Sequence, residues 1–145
     1  MKKYLVIIIT LFFLSSNAQL NFKGITWVLT KIEDKREETS LHIDNTYSIL
    51  RFDDSTYVGY GCNAFSGKYK ITGNKINFIG GMLNTDQGCT DPEDYKAEHY
   101  VMQNFLRLEY RQSGDSLILT KGNRMIFTYT KQKEKVKGKG KSKGK

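Results

Sequence analysis

Phe65, Gly67, Tyr69 and Ile71 fall on one side of an extended chain, with Ser66, Lys68 and Lys70 on the other. Alternation of this kind is the period of a strand with one face buried. Thr72-Gly73-Asn74 supplies turn residues, and Ile76 with Phe78 resumes the apolar side, so the segment predicts a β-hairpin. Shorter runs repeat the pattern on either side. Gly24 to Ile32 is rich in β-branched and aromatic residues and predicts a first strand. Tyr47 to Phe52 and Thr56 to Gly61 predict two more, joined by the turn Asp53-Asp54-Ser55. The charged stretch Glu33 to Ser40 and the segment Gly80 to Cys89 read as loops. Near the end, Leu108 to Gln112, Leu117 to Thr120 and Met125 to Thr130 are strands, separated by Ser113-Gly114-Asp115 and Lys121-Gly122-Asn123.

One segment has a different period. Tyr95, Met102, Phe105 and Leu106 recur at helical spacing, opposite Glu93, Lys96, Gln103 and Asn104. Its start carries two candidate caps: Thr90 with Glu93 as a capping box, or Asp91 followed by Pro92 at the first helical position. The expectation is a mainly β fold, a small antiparallel barrel or sandwich, with one helix over about residues 91–107 covering an open end or edge.

The N-terminus changes the picture of where such a domain works. Lys2 and Lys3 precede an apolar run from Tyr4 to Leu14 and then Ser15-Ser16-Asn17-Ala18, the layout of a cleaved signal peptide over residues 1–18. The run falls short of the roughly 18 residues a membrane span needs. Gln19 follows the expected cleavage site where a lipid anchor requires cysteine, so the expected product is exported, periplasmic or secreted, and not lipid-anchored. The formal charge of +8 is concentrated at the ends. Residues 131–145 carry eight lysines and one glutamate, the leader carries two lysines, and the body between them sums to −1. The Lys/Gly-rich tail, with Lys137, Lys139, Lys141, Lys143 and Lys145, is expected to be disordered and is a candidate for weak, salt-sensitive contact with anionic surfaces. It holds no aromatic residue for base stacking, which argues against a dedicated nucleic-acid binder.

The densest local signal is Gly59-Tyr60-Gly61-Cys62-Asn63-Ala64-Phe65-Ser66-Gly67, a glycine-punctuated bend between two strands. Cys62 and Cys89 are the two cysteines, and in an exported chain they favour a disulfide that stabilises by about 3 kcal/mol on the chain-entropy view. Two free buried thiols and a reactive pair are the alternatives, the last without a Cys-x-x-Cys motif to support it. Gly59 to Ala64 formally matches a dinucleotide fingerprint, but a strand follows where that chemistry needs a helix. Asp86, Asp91, Glu93 and Asp94 lack the terminal glutamate of a calcium loop. His42 and His99 have no metal-ligand spacing, and Ser66 lacks the glycines of a nucleophile elbow. Tyr57, Tyr60, Tyr69, Tyr110 and Tyr129 either pack on the strands or line a ligand cavity.

Trp27-Val28-Leu29, Gly61-Cys62-Asn63-Ala64-Phe65-Ser66-Gly67-Lys68-Tyr69, Thr85-Asp86-Gln87-Gly88-Cys89 and Leu117-Ile118-Leu119 together resemble the META domain (HslJ-like) family. The resemblance covers roughly Gly24 to Thr130, places the domain within 19–130, and picks out Trp27, Gly61, Asn63, Phe65, Gly67 and Tyr69 as its structural motif. It implies a small exported barrel-like domain, often linked to envelope stress, with no established catalytic residues, and the residues themselves give no expectation of a cofactor or metal. The expected role is a non-enzymatic envelope-stress or protein-interaction module, acting on an envelope protein or ligand whose identity the residues do not give. A lipocalin-like barrel that binds a small molecule is the alternative, and a thiol-based enzyme the remote one.

Overall fold

The computed structural model describes residues 22–44 and 48–133. The predicted signal peptide, Tyr47, and the tail from 134 onward, including Lys137, Lys139, Lys141, Lys143 and Lys145, lie outside the described residues. The elements run β1 (Thr26–Asp34), β2 (Thr39–His42), β3 (Ile49–Phe52), β4 (Thr56–Tyr60), β5 (Ala64–Thr72), β6 (Lys75–Asn84), α1 (Pro92–Asn104), β7 (Arg107–Ser113), β8 (Ser116–Lys121) and β9 (Met125–Lys131). Neighbouring strands are antiparallel, and β9 pairs back onto β1, so eight strands close into a barrel. β3 pairs with Thr26–Val28 of β1, and β2 continues the same side along Lys31–Asp34. Closure removes the open edges that a sheet of this size would otherwise expose.

The charged stretch from Glu33 is not the loop its composition suggests. β1 runs on through Asp34, the turn occupies 35–38, and Thr39 to His42 returns as β2. Two features make this possible. A bulge between Leu29 and Lys31 shifts the register on β9, so the inward positions pass from Trp27 and Leu29 to Ile32 and Asp34. Asp34 is then buried at 2% exposure, where its carboxylate accepts from the backbone N–H of Arg36 and Glu37 and from the Arg124 guanidinium. The segment Gly80 to Cys89 is likewise shorter as a loop, because β6 extends through Asn84. Gly80 and Gly81 both sit at φ near +80°, which glycine alone tolerates easily, and they mark a bulge against β5.

α1 starts as the Asp91-Pro92 option expects: the Asp91 carboxylate accepts from the N–H of Glu93 at 2.7 Å and of Asp94 at 3.4 Å. It ends at Asn104, earlier than the expected 107, since Arg107 already belongs to β7. Its inward face also differs from the expected one. Phe105 is buried and Met102 packs against the core as expected, but Ala97, Val101 and Asn104 are buried with them, while Tyr95 and Leu106 are exposed. Ala97 and Val101 border the same small void as Leu29, Phe65 and Tyr129, and Asn104 donates to the Tyr100 carbonyl and accepts from the Lys121 ammonium.

The interior is filled. Trp27, Leu50, Phe52, Ile76, Leu117, Leu119, Met125 and Phe127 are fully buried, and burying one such apolar side chain stabilises by about 1.5–3 kcal/mol. Phe65 and Phe127 meet Phe105 edge-on at 6.2 and 5.6 Å between ring centres, and Phe78 stacks on Phe105 at 4.9 Å. Toward the other end Phe22 packs on Phe52 and Tyr110. Tyr57 and Tyr129 belong to this packed core, and desolvation raises both phenol pKa values above the ordinary 10.

Candidate functional site

The sequence bend between β4 and β5 is the place where the helix, the 85–91 loop and the sheet meet. Two cross-strand pairs set it up. Phe65 lies opposite Gly59 and Tyr57 opposite Gly67. Each ring occupies the space over its partner glycine: a Cβ built on Gly59 would come within 2.0 Å of Phe65 Cζ, and one on Gly67 within 2.9 Å of the Tyr57 ring. The glycines are therefore sites of close approach, and the aromatic rings close the gap they leave in the sheet.

At the tip, Gly61 N–H donates to the Asn63 carbonyl at 2.9 Å. A Cβ on Gly61 would lie 3.2 Å from a carboxylate oxygen of Glu98, so glycine here admits the helix side chain. Asn63, 8% exposed, is the hub. Its backbone N–H donates to Glu98 Oε2 at 2.6 Å and its Nδ2 donates to Glu98 Oε1 at 2.7 Å. Its Oδ1 accepts from Thr85 Oγ1 at 3.0 Å and from the Gln87 N–H at 2.7 Å. Thr85 in turn pairs with Ala64 through both backbone and hydroxyl. One side chain thus ties the bend, the loop and α1 together, and its bonds to the carboxylate are of the charge-assisted, stronger kind.

Cys62 and Cys89 form a disulfide with their Cα atoms 5.4 Å apart, covalently repeating the same tie. The two Sγ atoms and a carboxylate oxygen of Glu98 lie within 4.8 Å of one another, all half-buried. Asn63 Nδ2 also approaches Cys62 Sγ at 3.4 Å.

Of the predicted motif, Gly61, Asn63, Phe65 and Gly67 come together here with both cysteines. Trp27 does not: it lies fully buried in β1, and its Nε1 has no hydrogen-bond partner among the described residues. Tyr69 is also apart, its hydroxyl donating to the Asp53 carbonyl at 2.6 Å and its ring edge-on to Phe52. Gly59 to Ala64 runs into strand β5, which leaves no helix to receive a pyrophosphate. Asp91 is engaged as the helix cap, and His99 stacks on Tyr95. Glu98 is the residue that spacing concealed, because its partner is 35 positions away and strand and helix patterns do not report on each other.

A second feature lies on the outside of the same strands. Val58, Ser66 and Leu83 are in register across β4, β5 and β6, with Tyr60 beside them. Tyr60 is 48% and Leu83 76% exposed, and they border an open groove of about 280 Å³. The void beneath α1, bordered by Leu29, Phe65, Val101 and Tyr129, amounts to about 20 Å³. Among the described residues, no helix is long and apolar enough to cross a membrane.

The fold resembles that of three solved structures. An NMR structure of a protein from Burkholderia xenovorans matches with a TM-score of 0.63 at 18% identity, covering 78% of this chain and 85% of that one. A second NMR structure matches with a TM-score of 0.57 at 19% identity, over 77% of this chain and 91% of the other. The crystal structure of a DUF4847 family protein from Bacteroides vulgatus matches with a TM-score of 0.50 at 12% identity, over 79% and 96%. No curated protein matches the chain. The META domain pattern spans residues 19–134, and with the bend, the barrel and the late helix in place the chain belongs to the META domain family.

Proposed function

We propose that this protein is an exported, non-catalytic interaction module of the cell envelope, which offers the outer face of β4–β6 to an apolar segment of another envelope protein. The observation that carries the reading is the division between inside and outside of the same strands. The inward side chains of β4 and β5 are packed in an aromatic core, while Val58, Tyr60 and Leu83 stand side by side in solvent. Clustered exposed apolar side chains of this sort mark contact surfaces more often than scattered ones do. The residues of the bend motif are engaged with one another in packing and hydrogen bonds, which supports a scaffolding role for them. Export is supported by the leader sequence and by the disulfide, which persists in oxidising compartments. A role in envelope stress belongs to the same proposal. The lipocalin-like alternative finds no support in an interior occupied by Phe65, Phe78, Phe105 and Phe127.

Photo-crosslinking in intact cells tests the reading. A benzophenone side chain in place of Leu83 should give a discrete adduct with an envelope protein, lost on adding Tyr60→Ser. The same reporter at Ile118, on β8, should give none. Equal adducts from both positions, or none from Leu83, would overturn it, and mass spectrometry should find the secreted form beginning at Gln19.

A further inference from the structure

Cys62, Cys89 and Glu98 come from a strand bend, a loop and a helix, and no sequence spacing links them as ligands. Two sulfurs and a carboxylate within 4.8 Å of one another are the donor set of a zinc-type site, but in the oxidised chain the sulfurs are bonded to each other. We infer that the reduced chain binds a thiophilic divalent cation, zinc being the type case, through Cys62 Sγ, Cys89 Sγ and the Glu98 carboxylate.

Opening the site takes two electrons and two protons from a dithiol, which becomes a disulfide as the Cys62–Cys89 bond breaks. Both thiols then release their protons to solvent as the metal binds. Zinc–sulfur bonds of about 2.3 Å place tetrahedral sulfurs ~3.8 Å apart, against about 2.05 Å in a disulfide. The required movement is under 2 Å, and Cys89 sits in the irregular segment between β6 and α1, outside the strand and helix hydrogen-bond ladders. Three protein ligands leave the fourth position for water, and the half-buried cluster is open for metal entry.

Glu98 is already oriented for the task. Asn63 holds both its oxygens from one side by hydrogen bonds of 2.6 and 2.7 Å, which fixes the carboxylate plane and leaves a lone pair on each oxygen. Metal-ligating carboxylates are commonly held this way, and loss of such support costs roughly 10- to 100-fold in metal affinity. The interaction makes the cation site redox-gated: oxidation to the disulfide expels the metal.

The full chain, reduced with a phosphine under anaerobic conditions, is titrated with Co²⁺ and then Zn²⁺. The expected result is a thiolate-to-cobalt charge-transfer band at one equivalent, displaced by zinc, and absent from the oxidised protein. Glu98→Gln should weaken zinc at least about 10-fold and Asn63→Ser by about 10-fold. Cys62→Ser/Cys89→Ser should show no charge-transfer band. Circular dichroism on each sample separates loss of ligand from loss of fold. If the reduced chain unfolds, zinc must restore the fold, since binding to the folded state alone drives folding. The inference fails if oxidised and reduced chains bind alike, if a folded Glu98→Gln binds as tightly as the wild type, or if an unfolded reduced chain stays unfolded in zinc.

Discussion

Glu98 and Asn63 are joined by two hydrogen bonds that use both carboxylate oxygens and both nitrogens of the asparagine residue, at 2.6 and 2.7 Å. The pair links the helix to the β4–β5 bend in the same place as the disulfide. The geometry is bidentate, so each bond fixes the angle of the other, and Asp or Gln in place of Asn63 does not reproduce it. An aspartate would set a second carboxylate against Glu98, and a glutamine carries its amide one methylene too far.

Removing the hub should therefore cost more than a single bond. Asn63→Ala leaves Glu98 with one donor and removes the acceptor of the Thr85 hydroxyl proton and of the Gln87 N–H, for an expected loss of about 2–3 kcal/mol. Urea unfolding of wild type, Asn63→Ala, Glu98→Gln and the double variant measures it. A coupling energy above about 1 kcal/mol is expected between the two sites. Additive effects would mean that the pair is incidental to stability.

The glycines of the bend give a graded series. Gly59→Ala drives a methyl into the Cζ end of Phe65, a rigid ring in a packed core, and should destabilise by about 2–3 kcal/mol. Gly67→Ala meets the Tyr57 ring at 2.9 Å, a lesser overlap, and should cost about 1–2 kcal/mol. Gly88 has open space around its Cβ direction, so Gly88→Ala should be neutral or slightly stabilising through the unfolded chain. Thermal melting of the three variants checks the order. A Gly59→Ala protein as stable as Gly88→Ala would contradict the close approach.

The disulfide closes a separation of 27 residues, and its loss should lower stability by about 3 kcal/mol on the chain-entropy view. Because Asn63, Thr85 and Glu98 tie the same segments without it, the reduced chain should keep its β-sheet circular dichroism at 25 °C. In metal-free buffer, Cys62→Ser/Cys89→Ser should be as stable as the reduced wild type. Complete unfolding on reduction would show that the hydrogen-bonded hub is too weak to hold the helix end alone.

The parts of this fold that follow a single local period are legible in the chain. Phe65 to Ile76 shows its hairpin because every second side chain faces one packed interior, and Asp91-Pro92 shows the helix start because the cap acts over three residues. What escapes the pattern is what depends on distant chain. The bulge at Thr30 flips the inward phase of β1, so the charged residues beyond it resemble a loop until β9 is beside them. The helix turns Ala97 and Val101 inward and leaves Tyr95 in solvent, a choice that depends on the strands beneath it and not on helical spacing alone. Glu98 reads as an ordinary surface carboxylate until Gly61 leaves room for it at the bend.

The Asp34–Arg124 pair makes the acid stability of the domain predictable in sign. The guanidinium donates to both carboxylate oxygens, and that hydrogen bonding, ahead of the opposing effect of burial, holds the Asp34 pKa below the ordinary 3.8. The backbone N–H groups of Arg36 and Glu37 add to the depression. A carboxyl with a lower pKa in the folded than in the unfolded chain contributes stability that is present above the unfolded value and lost as pH falls through the folded one. The contribution should be constant from pH 7 down to about 4 and disappear below it. Asp34→Asn keeps the shape but loses the charge, so wild type should exceed it by a fixed amount at neutral pH and converge with it in acid. Denaturation curves at intervals from pH 7 to about 2 give the test: a gap between the two proteins that stays the same width into acid would mean that Asp34 is not the group whose protonation matters.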